Sequence, residues 1–234
     1  EVGGTAKVEL SSSGKAMLIY NILETKKSKL KFLGKSEENI DLIIEQITEF
    51  KKHGVSVDDL NKIKEETDND YLKLKLQDML QVYTDFEKVI ENKYIDENDN
   101  LTRLANQLND VSIFDNTLIY IDEFVGFTKQ EYEIIKQLSY KAQDVTVAIC
   151  SDSIEEAIAP ENDVFYSNKL TISRLLDLMK EAKITIDEPI FLKEPYRFKN
   201  NELKHLEKNL YSVPYKKYEN TPENIELFLA NNQY

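Results

Sequence analysis

The stretch Thr117–Phe124 reads TLIYIDEF, and its first five residues predict a short strand because they are β-branched, apolar or aromatic. Two acids, Asp122 and Glu123, follow that strand directly. A second run, Val145–Cys150 (VTVAIC), carries no charge, which is typical of a strand covered on both faces. Two such strands with a helical pattern between them predict a parallel sheet in an α/β fold.

The alternation of strands and helices continues to the end of the chain. Helices are predicted over 129–141 with Thr128 as the cap, over 168–182 with Ile172, Leu175, Leu176 and Met179 facing inward, and over 200–211. Strands are predicted over 184–192, where Pro189 favours an edge, and over 225–230. Residues after 110 therefore predict half of an α/β domain.

Residues before 110 carry an almost purely helical pattern. Helices are predicted from Ser11–Ser13 to about Thr25, from Ser36/Asn39 to Gly54, over 57–66, through a heptad-like seam from Leu72 to Ile90, and from Asp99/Asn100 to about Asn109. The sequence thus predicts an all-helical block at 36–110 that interrupts or precedes the sheet.

Composition narrows the class of protein. The chain has 234 residues, 41% of them hydrophobic, which is enough to build a core. The single cysteine, Cys150, excludes an internal disulfide and a cysteine-built zinc site, and it favours a cytoplasmic protein. No apolar run is long enough for a membrane span, and no secretory leader opens the chain. The opening EVGG, without Met, indicates a piece of a longer protein.

The net charge of −13 is unevenly distributed. Residues 1–35 carry seven basic and three acidic side chains, whereas residues 36–110 carry nine and nineteen. Any DNA contact is therefore predicted to avoid the acidic surface of 36–110, because that surface repels phosphate.

Asp122 and Glu123 form the most specific candidate for a ligand-binding site in the sequence. Ligands of parallel sheets bind at the carboxyl ends of the strands, and a Walker-B acid at such a position holds Mg²⁺ beside nucleotide phosphates. The alternative is that both acids only cap an exposed turn. The one Gly-Lys pair, Gly14-Lys15, does not complete a phosphate loop: Glu9 stands where the first Gly belongs, Ala16 replaces Ser/Thr, and no strand is predicted before it.

The second candidate is the basic and aromatic stretch 193–218. It holds seven Lys/Arg against three Glu, with tyrosines between them; the candidate DNA contacts are Tyr196, Lys199, Lys204 and Lys208. The alternative is a solvated helix with ordinary core aromatics. Arg197 suits a bidentate phosphate or carboxylate contact. His53 and His205 lack metal-ligand spacing, Cys150 is read as core, and no other metal site is predicted.

Six phrases, taken in chain order, resemble one family. They are EVGG…LSSSGKAMLIYNIL, FKKHGVSVDDL, IYIDEFVGFTKQEYEII, VTVAICSD, YRFKNNELKHLEKNLY and IELFLANN. The family is the B subunit of the bacterial ATP-dependent helicase/deoxyribonuclease (AddB/RexB type), and the resemblance covers nearly the whole chain.

The resemblance implies a superfamily-1 helicase architecture. Residues 1–35 and 111–220 would belong to a partial RecA-like domain, 36–110 would be the helical insertion, and 221–234 would begin the second motor domain. Asp122 and Glu123 look like helicase motif II (D-E-x-Q-D), in which Val125 and Gly126 replace the Gln and the second Asp. Ser151-Asp152 looks like a remnant of motif III, and Arg197 resembles the motif IV arginine that approaches the terminal phosphate.

The resemblance also implies a function, namely the processing of double-strand DNA breaks for recombination repair. The partner would be the A subunit in a heterodimer, with single- and double-stranded DNA as substrates and no membrane. Mg²⁺ and ATP would belong to the parent protein, whose iron–sulfur cluster would lie outside this chain; the piece alone would be inactive and hold no cofactor. Two alternatives stay open: a true ATP-hydrolysing helicase, and a protein–protein module without DNA contact.

Overall fold

The computed structural model describes residues 7–33, 39–155, 163–194 and 196–230. Within them the elements, in chain order, are β1 (Val8–Glu9), α1 (Ser12–Lys26), α2 (Ile40–Lys52), α3 (Val57–Glu66), α4 (Asp70–Lys93), β2 (Tyr94–Ile95), a 3₁₀ turn (Glu97–Asp99), α5 (Asn100–Leu108), β3 (Leu118–Ile121), α6 (Lys129–Lys141), β4 (Asp144–Val147), α7 (Tyr166–Glu181) and α8 (Asn201–Asn209). The predicted helices are confirmed; the predicted cap Ser36 lies outside the described residues.

Helices α1–α4 enclose the hydrophobic core. The predicted seam of α4 is buried from Met79 through Tyr83 and Phe86 to Ile90, whereas Leu72 at its start is exposed. Ile19 of α1 and Ile43 of α2 are almost fully buried in the same core. Apolar side chains at helical spacing therefore form the core, because they lie along the one face of each helix that packs against the neighbouring helices.

The first strand pair includes a strand, β1, near the start of the chain, where the sequence predicted none. β1 pairs with β2 in parallel and lies just before α1, so the expectation that no strand precedes Gly14-Lys15 was wrong. A two-residue strand has no periodicity to detect.

Residues 7–33 contribute to the core of the helical block, since α1 packs against α2 and α4. The division of the chain into domains stays a prediction.

The second strand pair, β3 and β4, is parallel and in register from Leu118 opposite Asp144 to Ile121 opposite Val147. Helix α6 connects the two strands, as the sequence predicts for an α/β unit. The pair is not covered on both faces, because Leu118 is 55% exposed and Tyr120 is 71% exposed. The predicted strand also ends early at Val147, and Cys150 is exposed rather than part of the core.

Two other expectations were wrong, and a third was met only in part. Residues 184–192 and 225–230 form no strand in the described part of the chain, and their apolar side chains, such as Leu192 and Leu227, are exposed. A strand pattern becomes a strand only where a neighbour supplies the hydrogen-bond ladder. On α7 the prediction holds in part: Ile172, Leu175 and Met179 are half-buried, but Leu176 is exposed and the buried residues are Lys169 and Thr171. No helix among the described residues is long and apolar enough to cross a membrane.

Candidate functional site

The loop after β3 presents the two candidate acids to solvent. Asp122 and Glu123 are both exposed. The Oδ1 atom of Asp122 accepts a hydrogen bond from the Glu123 amide at 2.8 Å, and Glu123 takes a left-handed conformation with φ of +67°. Asp122 thus caps the turn while its second oxygen stays available. No group of three or more His, Cys, Asp or Glu side chains within the described ranges is arranged to hold a metal ion.

Helix α7 holds this loop from the other side. The Thr171 hydroxyl lies 2.8 Å from the Val125 carbonyl oxygen and 3.0 Å from that of Ser167, so both can accept its hydrogen bond. A Cβ added at Gly126 would lie 3.3 Å from Thr171 Oγ1, tighter than an ordinary contact. A side chain at position 126, where the helicase pattern carries its second Asp, would therefore require Thr171 Oγ1 to shift by a few tenths of an ångström.

The same helix holds the loop after β4. Lys169 is 8% exposed and its Nζ atom lies 2.9 Å from Asp152 Oδ1 and 2.8 Å from Asp163 Oδ2. Its hydrogen bonds to Asp163 and Asp152 raise the pKa of Lys169, and the Lys169 contact lowers the pKa of Asp163. One turn of α7 thus fixes both strand-end loops. Sequence reasoning missed Lys169 and Thr171, because Thr171 lies 46 positions from Val125 and no pattern marks Lys169 as the buried partner of two acids.

An aromatic cluster lies beside the acids. Phe124 and Phe127 stack with ring centroids 5.0 Å apart, and Phe127 meets Tyr132 edge-on at 5.5 Å. Phe124 remains partly exposed. The spacing of three between Phe124 and Phe127 is the feature of the sequence that could have predicted this cluster.

Helix α6 ties this end of the sheet to the helical block. Thr128 and Glu131 form a capping box at its start, which confirms the predicted cap. Next to it, Gln130 Nε2 donates to the Asn98 carbonyl oxygen at 2.7 Å and to Thr102 Oγ1 at 2.8 Å. The loop carrying the acids is therefore anchored at both ends.

Gly14-Lys15 begins a helix, as the sequence predicts, and does not face an open site. Ser11 Oγ accepts from the Gly14 amide at 3.1 Å as the cap of α1. The Lys15 side chain is 5% exposed and its Nζ atom lies 2.7 Å from Asp96 Oδ1. That lysine is an internal ion-pair partner rather than a free phosphate ligand.

Asp96 belongs to a buried charge cluster that the sequence did not reveal. Lys51 Nζ lies 2.7 Å from Asp99, 2.9 Å from Glu87 and 3.5 Å from Asp96. Burial would lower the pKa of Lys51, but the carboxylates of Asp99 and Glu87 outweigh it, so the pKa is raised. Burial likewise would raise the pKa of Asp96, yet the Lys15 ammonium and the Asn98 amide hold it below its usual value.

The predicted DNA-binding side chains are all solvent-accessible. Tyr196 is 89% exposed, and Lys199, Lys204 and Lys208 are exposed. Lys204 and Lys208 lie one turn apart on α8 and so share a face. Arg197 is exposed, makes no ion pair inside the described ranges, and contacts neither Asp122 nor Glu123. The structure therefore brings the two acids together but does not join them to Arg197.

These features define an α/β protein with a helical block, an acidic loop at the carboxyl end of a parallel strand pair, and a later helix that carries two exposed lysines. Residues 1–207 match the family described as "ADDB, N-terminal", and the chain belongs to that family.

Three curated relatives show the extent of the likeness. Each is named as the B subunit of an ATP-dependent helicase/deoxyribonuclease. The protein of Clostridium botulinum (strain Langeland / NCTC 10281 / Type F) is 38% identical over 241 residues, that of Clostridium tetani 37% over 244, and that of Caldanaerobacter subterraneus 38% over 240. The matches cover 100% of this chain but 21% of each relative, so the chain spans about a fifth of their length.

Proposed function

We propose that this chain is a DNA-holding part of the B subunit of a bacterial ATP-dependent helicase–deoxyribonuclease that processes double-strand breaks for recombination repair. The observation that carries the proposal is a pair of exposed lysines one turn apart on α8, Lys204 and Lys208, which form no ion pair among the described residues and can meet phosphates. Family membership and the names of the relatives support it. The partner would be the A subunit, the substrates single- and double-stranded DNA, and the compartment the cytoplasm.

The proposed architecture is that of a superfamily-1 helicase. Residues 1–35 and 111–220 would form part of a RecA-like domain, 36–110 its helical insertion, and 221–234 the beginning of a second motor domain. Support comes from the parallel pair β3–β4 joined by α6, with acids at its carboxyl end. The iron–sulfur cluster would be bound elsewhere in the parent, because Cys150 is the one cysteine here.

A nucleotide with Mg²⁺ fits this site only in part. Asp122 and Glu123 offer exposed carboxylates that would hold the metal with water, and Arg197 would approach a phosphate. Mg²⁺ would neutralise charge on the phosphates when bound. Position 126, however, has no room for the second acid of motif II without moving Thr171. We therefore propose a scaffold with a weak motor, while the partner drives translocation and this chain's parent scans for the hotspot sequence.

Charge reversal on α8 tests the DNA contact. In the full-length protein with its partner, Lys204→Glu/Lys208→Glu is expected to lower affinity for single-stranded DNA at least tenfold, because two phosphate contacts become repulsive. Lys75→Glu/Lys88→Glu, the same change on exposed positions of α4, should leave affinity within about twofold. If the α4 variant lost as much affinity for single-stranded DNA as the α8 variant, the proposed DNA contact on α8 would be refuted.

The weak-motor proposal has its own test. In the full-length complex, Asp122→Ala is expected to change DNA-stimulated ATP turnover by less than about twofold, because the partner would supply most of the hydrolysis. The comparison is a variant of the partner with its own ATP site disabled. If Asp122→Ala abolished turnover as completely as that variant, this chain would belong to a working motor, which is the alternative that the retained Asp-Glu pair favours.

A further inference from the structure

The chain after α8 folds back along that helix. Ser212 Oγ donates to the Asn209 carbonyl oxygen at 3.0 Å, His205 Nε2 lies 2.8 Å from the Lys216 carbonyl oxygen, and Glu202 accepts from the amides of Glu223 and Asn224 at 3.1 and 2.6 Å. The residue numbers rise along the returning segment while they fall along α8. Residues 211–224, hereafter the fold-back segment, therefore run antiparallel to the helix.

His205 makes the central contact of this arrangement. A carbonyl oxygen can only accept, so Nε2 carries the proton and donates to Lys216. The Tyr218 ring packs on the imidazole with centroids 5.2 Å apart, and Asn209 Nδ2 lies 3.4 Å from the imidazole Nδ1, which can accept when Nε2 carries the proton. The imidazole is thus held on both sides and fixes where the fold-back segment lies.

The consequence is a group of four exposed lysines that come from two pieces of chain. Lys216 and Lys217 of the fold-back segment are brought beside α8, which carries Lys204 and Lys208, and all four side chains are exposed. None of the four ammonium groups forms an ion pair in the part of the chain that the structure describes, whereas Glu202, on the same helix, is buried against backbone amides. Four lysines without an ion pair are available to an anion, and the exposed glutamates on the same two pieces of chain, Glu207, Glu219 and Glu223, leave the lysines in slight excess.

The aromatic side chains on this surface distinguish between kinds of nucleic acid. Tyr211 is 69% exposed and Tyr215 is 85% exposed, although tyrosine rings normally lose much of their surface on folding. Rings beside cations stack on unpaired bases, which a duplex does not offer. The combination fits a single strand, with lysines on its phosphates and tyrosines on its bases.

We infer that α8 and the fold-back segment form one bipartite site for single-stranded nucleic acid, in which His205 is the positioning residue that holds Lys216 and Lys217 beside Lys204 and Lys208. The inference rests on the proposed DNA contact of α8. It adds a second pair of lysines, two stacking tyrosines and the residue that aligns them.

The salt dependence of binding tests the site in the full-length protein with its partner. A fluorescent oligo-dT is titrated at several salt concentrations at pH 8. Each lost phosphate contact lowers the slope of log K against log salt by about 0.7, so Lys216→Gln/Lys217→Gln should lower it by about 1.4. His205→Leu should produce the same decrease although it removes no lysine, and adding it to the lysine pair should produce none further.

Controls separate positioning from general damage. His205→Gln, whose amide can still donate to the Lys216 carbonyl, should retain the original slope, and Tyr218→Leu should lower it as His205→Leu does. Tyr211→Ala/Tyr215→Ala should weaken binding of the single strand at least fivefold and that of a duplex of equal length by less than twofold.

The outcomes distinguish two failures. If Lys204→Gln/Lys208→Gln leaves both slope and affinity unchanged, the proposed DNA contact itself is wrong. If that pair lowers the slope but Lys216→Gln/Lys217→Gln, or His205→Leu and Tyr218→Leu together, do not, only the bipartite site is overturned. Equal loss of single-strand and duplex binding in the tyrosine variant would overturn its specificity for single strands.

Discussion

Replacing Asp96 by alanine is expected to lower the free energy of unfolding by about 3–5 kcal/mol, the usual cost of removing one partner from a buried ion pair. The Asp96 side chain is 1% exposed and lies between two lysines, Lys15 at 2.7 Å and Lys51 at 3.5 Å. Without it, Lys15 keeps only a 3.2 Å contact with the largely exposed Glu97. A nearly uncompensated ammonium would then lie inside the junction of α1, α2 and β2.

Denaturant unfolding followed by circular dichroism measures this loss. Asp68→Ala is the control, because Asp68 is an exposed carboxylate between α3 and α4; its effect should stay within about 0.5 kcal/mol. If Asp96→Ala cost no more than the control, the charge cluster would contribute nothing to stability.

The pH dependence gives a second measure of the same residue. The folded-state pKa of Asp96 lies below its usual value, so its stabilisation is complete above about pH 4 and is lost as the pH falls through the folded-state pKa. Burial raises the pKa of Glu87, which acts in the opposite direction, so the comparison must isolate Asp96. We expect Asp96→Asn to lose stability less steeply than the natural sequence below pH 4.

Local patterns account for the part of the fold that the sequence predicts. The helices, the cap at Thr128 and the strand ending before Asp122 each depend on residues a few positions apart, so a short window contains the signal. The charge cluster does not, since Lys15 meets Glu97 from 82 positions away. Lysines near the ends of helices are ordinarily solvated, and nothing local marks Lys15 or Lys51 as buried.

Strands were predicted least well, for a physical reason. Residues 184–192 have the composition of a strand, but composition supplies only side chains suited to a sheet, whereas the ladder needs a partner at the right distance. The reverse holds for Val8–Glu9, which pairs with Tyr94–Ile95 without any pattern of its own. Composition and pairing are thus separate requirements.

The candidate site likewise contains residues that local patterns can suggest and residues whose contacts depend on distant parts of the chain. The sequence could point to Asp122, Glu123 and the lysines of α8 as candidates, because acids after a strand and cations along a helix are local features; their roles stay predictions. It could not show that Thr171 restricts Gly126, or that His205 holds Lys216, because both contacts depend on where a later segment returns. Local patterns thus supply candidate groups, whereas the contacts that position those groups become visible only in the folded chain.

Asp78 is expected to show the second large effect on stability. It lies on α4, is almost completely buried, and its Oδ2 atom accepts hydrogen bonds from the backbone amides of Phe32 at 2.5 Å and Leu33 at 3.0 Å. Alanine at position 78 would leave both amides unpaired beside the core, and each unsatisfied group costs about 1–3 kcal/mol. We expect Asp78→Ala to lower the free energy of unfolding by about 2–5 kcal/mol.

The same helix offers a matched control. Asp85 forms a 2.8 Å ion pair with Lys26 of α1, but both side chains are more than a quarter exposed, so Asp85→Ala should cost less than about 1 kcal/mol. Asp78→Asn keeps an oxygen that can accept and should fall between the two. Hydrogen exchange at Phe32 and Leu33 should accelerate in Asp78→Ala and stay unchanged in Asp85→Ala. Equal stability of the two alanine variants would show that Asp78 does not hold Phe32 and Leu33 against α4.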